Sequence, residues 1–439
     1  PIDVRFMLPS CVPATPMDES GANLDYRAID SFYDYPRVQG LAEMMNSYGV
    51  IHNDPEVVSK IVASQAHHKK IDGHAPGLQG KDLDTYVAAG VYSDHECATM
   101  EDALAKLQRG QFIMIREGTA ARNLEALAPL LTPQYAERCM FCTDDKHPSD
   151  LLEKGHIDYI AREAINKYGV DPIIAVKAAC HHASRYFLLN NRGAIAPGYL
   201  ADFAVIDNFK DFNVEMVFKK GVLYWNNGEL RDFDAPQIEE YLDKRAHDTF
   251  HVATLTPDDF RDTRQRGVLG MVPGEIITTD NGYADHVDLE KDILKIAVVE
   301  RHKGTHHIGL GYIQGYGLRS GAVATSISHD SHNIIVVGTN SADMAFAANY
   351  IVEHHGGIVV VENGTVKGSV VLEIAGIMSD RPLTEVNDQL EAAKDAAFTL
   401  GVSRGIDPFM TLSFMALPVI PKLRITTRGV VDDDTQQYV

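Results

Sequence analysis

Ile71-Asp-Gly-His-Ala-Pro-Gly-Leu-Gln-Gly80 is followed, one short helical interval later, by Val91-Tyr-Ser-Asp-His-Glu-Cys97. Each segment leaves a short apolar run and ends on an imidazole, His74 and then His95, where a strand should give way to a loop. Neighbouring strands of a parallel (β/α)8 barrel deliver such residues to one rim, and the chemistry of that fold sits at the C-terminal ends of its strands. The pair of segments therefore predicts adjacent barrel strands with a shared metal site at their mouth.

The flanking sequence repeats the same alternation from residue 1 to about Asn190. Strands are expected at Val4 to Leu8, Val38 to Ala42, Ile71 to Gly73, Val91 to Ser93, Phe112 to Ile115 and Cys139 to Thr143. All are apolar on both sides of the backbone, as parallel strands covered by helices should be. Helices are expected at Pro55 to Ala66 behind an Asp54 cap, Lys81 to Ala89, Met100 to Arg109 and Ala120 to Leu131. Thr99 followed by Asp102 is close to a capping box. Two more helices should follow, Asp150 to Tyr168 and Asp171 to Phe187. The fold class is thus α/β, a (β/α)8 barrel lacking its first strands in this chain, with strands three to eight in residues 1–192.

Residues 193–228 read as strands of a small β-sandwich. Gly193 to Asp207 has a Pro-Gly turn and an alternating tail, and Val214 to Trp225 adds short strands around Lys220-Gly221. So few strands cannot bury a face alone and should pair with strands preceding Pro1. Residues 229–267 are polar and read as a helical linker. Residues 268–439 read as a C-terminal α/β domain, with strands near Ile293 to Val299, Ile334 to Val337, Gly357 to Val361 and Val370 to Ile374, and helices at Ser341 to Glu353 and Thr384 to Leu400. Glu362-Asn-Gly-Thr365 is a hairpin turn.

A chain of 439 residues, 45% hydrophobic and 23% charged with 34 glycines, is an ordinary globular composition. The formal net charge of -21 argues against nucleic acid or an anionic membrane as the main partner, since both repel it. A small neutral or cationic substrate fits better. No apolar run approaches the roughly 20 residues of a membrane helix. The five cysteines are too scattered for a disulfide framework, which favours a reducing, cytoplasmic compartment. Cys139 and Cys142 share an expected strand, where positions three apart face opposite sides, so no joint metal or redox role is expected of them.

With the strands so placed, the polar residue at each strand end can be read off: Glu43, His74, His95, Arg116 with Glu117, and Asp144. A carboxylate, two imidazoles and another carboxylate form a mixed nitrogen and oxygen site suited to Zn, Mn or Fe(II), with room in the ligand set for a pair of divalent ions, and not to a thiolate-selective metal. Such ions lower the pKa of a bound water towards neutrality and supply a nucleophile. Asp144 could both ligate and take the proton. A strand-end carboxylate can equally be a plain helix cap. The pairs His67-His68, His181-His182, His306-His307 and His354-His355 read as structural or solvated, because adjacent residues do not share a face.

Ser328-His-Asp-Ser-His-Asn333 reads either as a turn or as a lid loop that offers His329, Asp330 or His332 to a substrate. A Ser-His-Asp nucleophile is disfavoured without a Gly-x-Ser-x-Gly elbow. No Pro-Cys-x-x-Cys signature, P-loop or dinucleotide fingerprint occurs in the sequence.

Gly40-Leu-Ala-Glu-Met-Met-Asn46, Asp72 to Leu83, Ser93-Asp-His-Glu-Cys97, Ile113-Met-Ile-Arg-Glu-Gly118 and Thr143-Asp-Asp-Lys-His-Pro148 resemble the adenine deaminases of the amidohydrolase superfamily. The resemblance continues through Gly193 to Asp207, Ser328 to Gly338, Asp407 to Phe414 and Leu417 to Pro421. It implies hydrolytic deamination of adenine to hypoxanthine and ammonia, with a metal-activated hydroxide attacking C6, in purine salvage. By position it implies Glu43 as bridging carboxylate, His74 and His95 as imidazole ligands, and Asp144 as the aspartate that ligates and relays protons. Glu96, expected to take a catalytic part, would lie near the substrate with Arg116, Glu117 and Asp145. A homo-oligomer is expected. The superfamily's strand-one His-x-His pair is expected upstream of Pro1, because this sequence contains none. Another amidohydrolase activity, on a cyclic amide or a different purine, is the nearest alternative, and a catalytically dead fragment serving as scaffold or subunit is the other.

Overall fold

The computed structural model describes residues 2–119, 121–234, 236–272 and 275–439. Ala120, the first residue of one expected helix, lies outside them, as do Pro1, Ala235 and residues 273–274 of the expected domain segments. The chain divides into two compact units: one holds the residues up to Ser10 together with Leu24–Gln237, the other Cys11–Asn23 together with Ile238–Val439.

In the first unit, β1 (Phe6–Leu8), β2 (Val38–Met44) and β3 (Lys70–Gly73) pair in parallel in that order, as do β4 (Ser93–Asp94), β5 (Phe112–Arg116) and β6 (Cys139–Cys142). The two sets run on into each other, since Tyr92 N donates to Ile71 O at 2.9 Å and Phe112 N to Tyr92 O at 2.8 Å. Gly73 permits that approach, because a Cβ there would stand 2.1 Å from the Ser93 carbonyl oxygen. Helices α1 (Pro55–Ala66), α2 (Gly80–Ala88) and α3 (Met100–Gln108) fill the intervals. Asp54 caps α1, accepting from Glu56 N and Val57 N, with Pro55 in the first turn. Side chains alternate along β5: Ile113 and Ile115 join the core shared with the helices, while Met114 joins a separate cluster with Met140 and Tyr186. Cys139 and Cys142 divide in the same way between those clusters.

Several expected elements differ in extent for identifiable reasons. The helix expected up to Leu131 is only Leu124–Leu127 with a 3-10 turn at Ala128–Leu130, where Pro129 withholds a backbone donor. Gly155, with φ of +104°, splits the next into Pro148–Glu153 and Ile157–Asn166. Between Pro172 and Tyr186 the helix passes through a π turn at Lys177–His181. Only half of the capping box forms: Thr99 Oγ1 accepts from Asp102 N, but the Asp102 carboxylate turns to Lys106. The hairpin expected at 193–207 is absent; the only strand there, β7 (Phe203–Ile206), pairs instead with β8 (Val214–Lys219). With β9 (Val222–Asn226) and β10 (Glu229–Leu230) these make one antiparallel sheet, in the order β10-β9-β8-β7, inside the first unit. Residues 229–267 contain a helix at Glu240–His247 and a 3-10 turn at Pro257–Phe260, and the boundary between units falls at Gln237.

The second unit is built on an eight-stranded sheet of β11 (Arg266–Met271), β12 (Thr278–Ala284), β13 (Ile293–Val299), β14 (Ile308–Gln314), β15 (Ala322–Thr325), β16 (Ile334–Gly338), β17 (Gly357–Glu362) and β18 (Thr365–Val371), in the order β12-β11-β14-β13-β16-β15-β17-β18. Ile335 and Val337 face one core with the helix α5 (Leu383–Thr399), and Ile334 and Val336 face the other with α4 (Ser341–Glu353). That two-sided burial explains the unbroken apolar run in β16. β17 and β18 meet at Asn363 and Gly364, both at positive φ as a two-residue I′ turn requires. A small sheet of β19 (Leu423–Thr426), β20 (Gly429–Asp432) and β21 (Gln437–Tyr438) completes the unit. No helix of the described residues is long and apolar enough to cross a membrane.

Candidate active site and metal centre

The C-terminal ends of β2 to β6 carry the site. Glu43 is the penultimate residue of β2, His74 follows β3, His95 and Glu96 follow β4, Arg116 ends β5 and Asp144 lies just past β6. Glu43 Oε2 stands 3.1 Å from His95 Nε2 and 3.3 Å from His74 Nδ1. Glu96 Oε1 faces the same two rings, 3.2 Å from His95 Nε2 and 3.4 Å from His74 Nδ1. The imidazoles meet edge to face with centroids 5.4 Å apart. Arg116 grips Glu96 with both terminal nitrogens, Nη2 to Oε2 at 2.9 Å, and Nη1 also donates to Asp144 Oδ2 at 2.7 Å. Asp144 reaches this geometry from a left-handed backbone, φ +52°, which an aspartate tolerates better than most residues.

Two groups of donor atoms therefore come within 4.8 Å of one another, Glu43 with His74 and His95, and His95 with Glu96 and Asp144. Burial opposes charge on these side chains, but the opposite charges outweigh it. Glu43 and Glu96 hold His95 well above the usual imidazole range and also raise His74. In return the imidazoles, with Arg116 beside Glu96, hold both glutamates far below the usual carboxylate range. His74 is 4% exposed, and neither of its ring nitrogens makes a hydrogen bond of acceptable geometry. A buried imidazole left so, aimed at two carboxylates, fits a divalent cation: imidazole with carboxylate suits Mn, Fe(II) or Zn, and a cation binding there would displace the protons.

Of the remaining sequence candidates, Glu117 turns aside and accepts from Leu124 N at 3.4 Å, while burial raises its pKa. The Asp145 backbone carbonyl accepts from Thr119 N. Neither belongs to the two donor groups. His329, Asp330 and His332 lie in the second unit. There the His329 ring stacks on Phe414 with centroids 4.7 Å apart, and burial presses the His332 pKa down to about 3. The neighbouring Ser331 hydroxyl donates to Asp18. His182, read as structural, is buried with Nδ1 on the Cys139 carbonyl.

Sequence reasoning did not single out Asp94, Lys106 or Tyr86, which lie behind the site. Lys106 is fully buried on the core face of α3, beside Asp102 and Ala103. A lysine in the inward register of an amphipathic helix was the available signal.

Residues 1–224 match the amidohydrolase family, and residues 275–437 match the adenine deaminase C-terminal domain. The adenine deaminase of Desulfatibacillum aliphaticivorans is 44% identical over 453 residues, covering 100% of this chain and 78% of its own. That of Nitratidesulfovibrio vulgaris (strain DP4) is 44% identical over 452 residues, covering 100% and 77%. Among solved structures, a β-aspartyl dipeptidase from Fervidobacterium islandicum AW-1 is 17% identical with a TM-score of 0.37, over 48% of this chain and 62% of that one. The identity to curated relatives along its whole length settles kinship: the chain belongs to the adenine deaminase family of the amidohydrolases.

Proposed function

We propose that this protein hydrolyses adenine to hypoxanthine and ammonia. The observation that carries the reading is the meeting of Glu43, His74, His95, Glu96 and Asp144 at the ends of successive parallel strands, in a chain whose close relatives are adenine deaminases. Glu43, His74, His95 and Asp144 would hold a binuclear divalent centre, Mn or Fe(II), with Zn as the further option. When bound, that centre supplies a water acidic enough to serve as nucleophile at neutral pH.

The chain's own groups then have separable tasks. Asp144, one-third exposed and tethered by Arg116, takes the proton released by the attacking water and can return it to the departing amine. Glu96, clamped by Arg116 and held charged, would take up the other proton of that water and pass it to the purine ring nitrogen N1, so that both carboxylates end the cycle as they began it. Arg116 keeps Glu96 charged and orients both carboxylates. Glu117, Asp145, His329, Asp330 and His332 are proposed to contact the base; the support for the last three is a polar loop held in one shape by Phe414, Asp18 and a left-handed His332. The same reading counts β1 to β6 as barrel strands three to eight, gives β7 to β10 a share in a small sandwich, and takes a His-x-His pair from outside this sequence. It makes the enzyme a cytoplasmic homo-oligomer of purine salvage.

The test is ammonia release from adenine by the metal-loaded, full-length protein, set beside guanine, adenosine and a cyclic amide. Turnover of adenine above the others is expected. No ammonia from adenine at full metal occupancy overturns the proposal, and turnover of a cyclic amide instead would favour a different amidohydrolase activity.

A further inference from the structure

The strand ends that carry the candidate ligands are held from behind by a buried ion pair. Lys106 Nζ reaches up from α3 and donates to the Ala75 carbonyl at 2.8 Å, to Asp94 Oδ2 at 3.0 Å and to Asp102 Oδ2 at 3.0 Å. Asp94 in turn accepts from Ala75 N at 2.8 Å, from Glu96 N at 3.0 Å and from the Cys97 thiol at 3.2 Å. Both Lys106 and Asp94 are fully buried. Burial opposes the charge of the ammonium, but the Asp94 carboxylate beside it outweighs burial and raises its pKa. The ammonium stands between the two carboxylates, 3.0 Å from an oxygen of each.

These contacts fall on the backbone beside the ligands. Ala75 follows His74, and Asp94 and Glu96 flank His95, so the pair ties the loop after β3 to the loop after β4 at the two points that set the separation of the imidazoles. A third strand end is tied in the same manner: Tyr86 of α2 donates its hydroxyl proton to Met44 O, next to Glu43, at 2.7 Å and accepts from His74 N at 3.0 Å.

We propose that Lys106, acting with Asp94, is a positioning residue for the metal centre, fixing the spacing of His74 and His95 through the Ala75 carbonyl and the Ala75 and Glu96 amides. It touches neither ion nor substrate. This rests on the reading of the two histidines as ligands. Outer partners that orient ligands typically change metal affinity by about 10- to 100-fold when removed, and that is the effect expected of Lys106→Met and of Asp94→Asn.

The experiment measures the Mn2+ dissociation constant of the full-length protein by chelator competition, together with the melting temperature of the metal-free form. Lys106→Met strands the Asp94 carboxylate, so the neutral double variant Asp94→Asn/Lys106→Met is measured beside it to keep a folded protein in hand. Asp102→Asn is the control, since Asp102 contacts Lys106 but neither Ala75 nor the Glu96 amide. Weaker Mn2+ binding in the folded Lys106 and Asp94 variants, with affinity unchanged in Asp102→Asn, is the expected result. A merely structural role would lower the melting temperature and leave the dissociation constant of the folded protein alone, and that outcome overturns the proposal. If the wild type itself binds no Mn2+, the ligand reading falls and this one with it; wild-type affinity retained in the variants removes the positioning role only.

Discussion

Replacing Asp144 by asparagine should separate catalysis from stability. The side chain is one-third exposed and accepts from a single Arg116 nitrogen at 2.7 Å. Arg116 keeps its two contacts to Glu96 without it. Arg116 itself is buried but stays neutralised by Glu96, so the loss is that of one charged hydrogen bond, about 1.5–3 kcal/mol, which for a unit of this size shifts the melting temperature by about 3–12 °C. The amide can still accept from Arg116, so the true shift should be at the lower end. Proton transfer is another matter, because an amide cannot take a proton at neutral pH. Loss of a positioned acid or base lowers turnover about 10²- to 10⁴-fold, or roughly 3–5 kcal/mol of transition-state stabilisation. The assay is steady-state ammonia release from adenine, with metal content measured on the same sample and melting followed by circular dichroism. Expected is a fall in kcat with KM little changed and the fold intact. A variant with full metal occupancy and kcat within a few-fold of wild type would show that the proton travels by another group, with Glu96 as the next candidate.

His95→Gln removes the imidazole shared by both donor groups, so bound Mn2+ per chain should fall by elemental analysis; unchanged stoichiometry would remove His95 from the ligand set. Dialysis against a chelator should abolish ammonia release, and Mn2+ or Fe2+ should restore it, whereas full activity in the verified metal-free protein would end the metal reading. In the second unit, burial pushes the Asp18 carboxyl up to about 6, against the Ser331 hydroxyl and the Glu19 amide, which favour the charged form. The native state then holds this proton more tightly than the unfolded chain does. Its contribution to stability is complete below about pH 3.8 and is lost as pH rises through about 6, on the order of 3 kcal/mol in all. Asp18→Asn cannot ionise, so its melting temperature should gain on that of the wild type between pH 4 and pH 7.5. A difference between the two proteins that stays flat with pH refutes this.

What could be read from the sequence follows from the range of the forces involved. The helices Pro55–Ala66 and Ser341–Glu353 are specified within themselves, by Asp54 with Pro55 and by Asn340 ahead of a regular apolar face, and their observed limits match those expected. The strand β16 and the Asn363-Gly364 turn are equally local. Strand ends fix the register of His74 and His95, which is why two short segments sufficed to predict that these two rings meet. Arg116 could be placed near that point, but its grip on Glu96 and Asp144 belongs to residues 20 and 28 positions away and leaves no periodic trace.

The least legible feature is the segment Cys11–Asn23, which follows β1 of the first unit yet belongs to the second. It contains no helix or strand. Its attachments are polar and very distant in sequence: Asp18 to Ser331, Glu19 to His307, Thr427 and Arg428, the Glu19 carbonyl to Asn333, and the Met17 carbonyl to the Tyr438 hydroxyl. Hydrophobic periodicity records which face of an element is buried, and a segment with no element has no face to record. Hydrogen bonds are short-ranged and directional, so a pairing across some 300 or 400 residues depends on folding that is already complete. The same holds for Lys106 and Asp94. Their spacing of twelve residues spans a loop and most of a helix, and the ion pair exists only because α3 packs against the strand ends it supports. Where side chains act through another element's backbone, sequence supplies the residue type, here a lysine in an inward register, and tertiary packing alone supplies the partner.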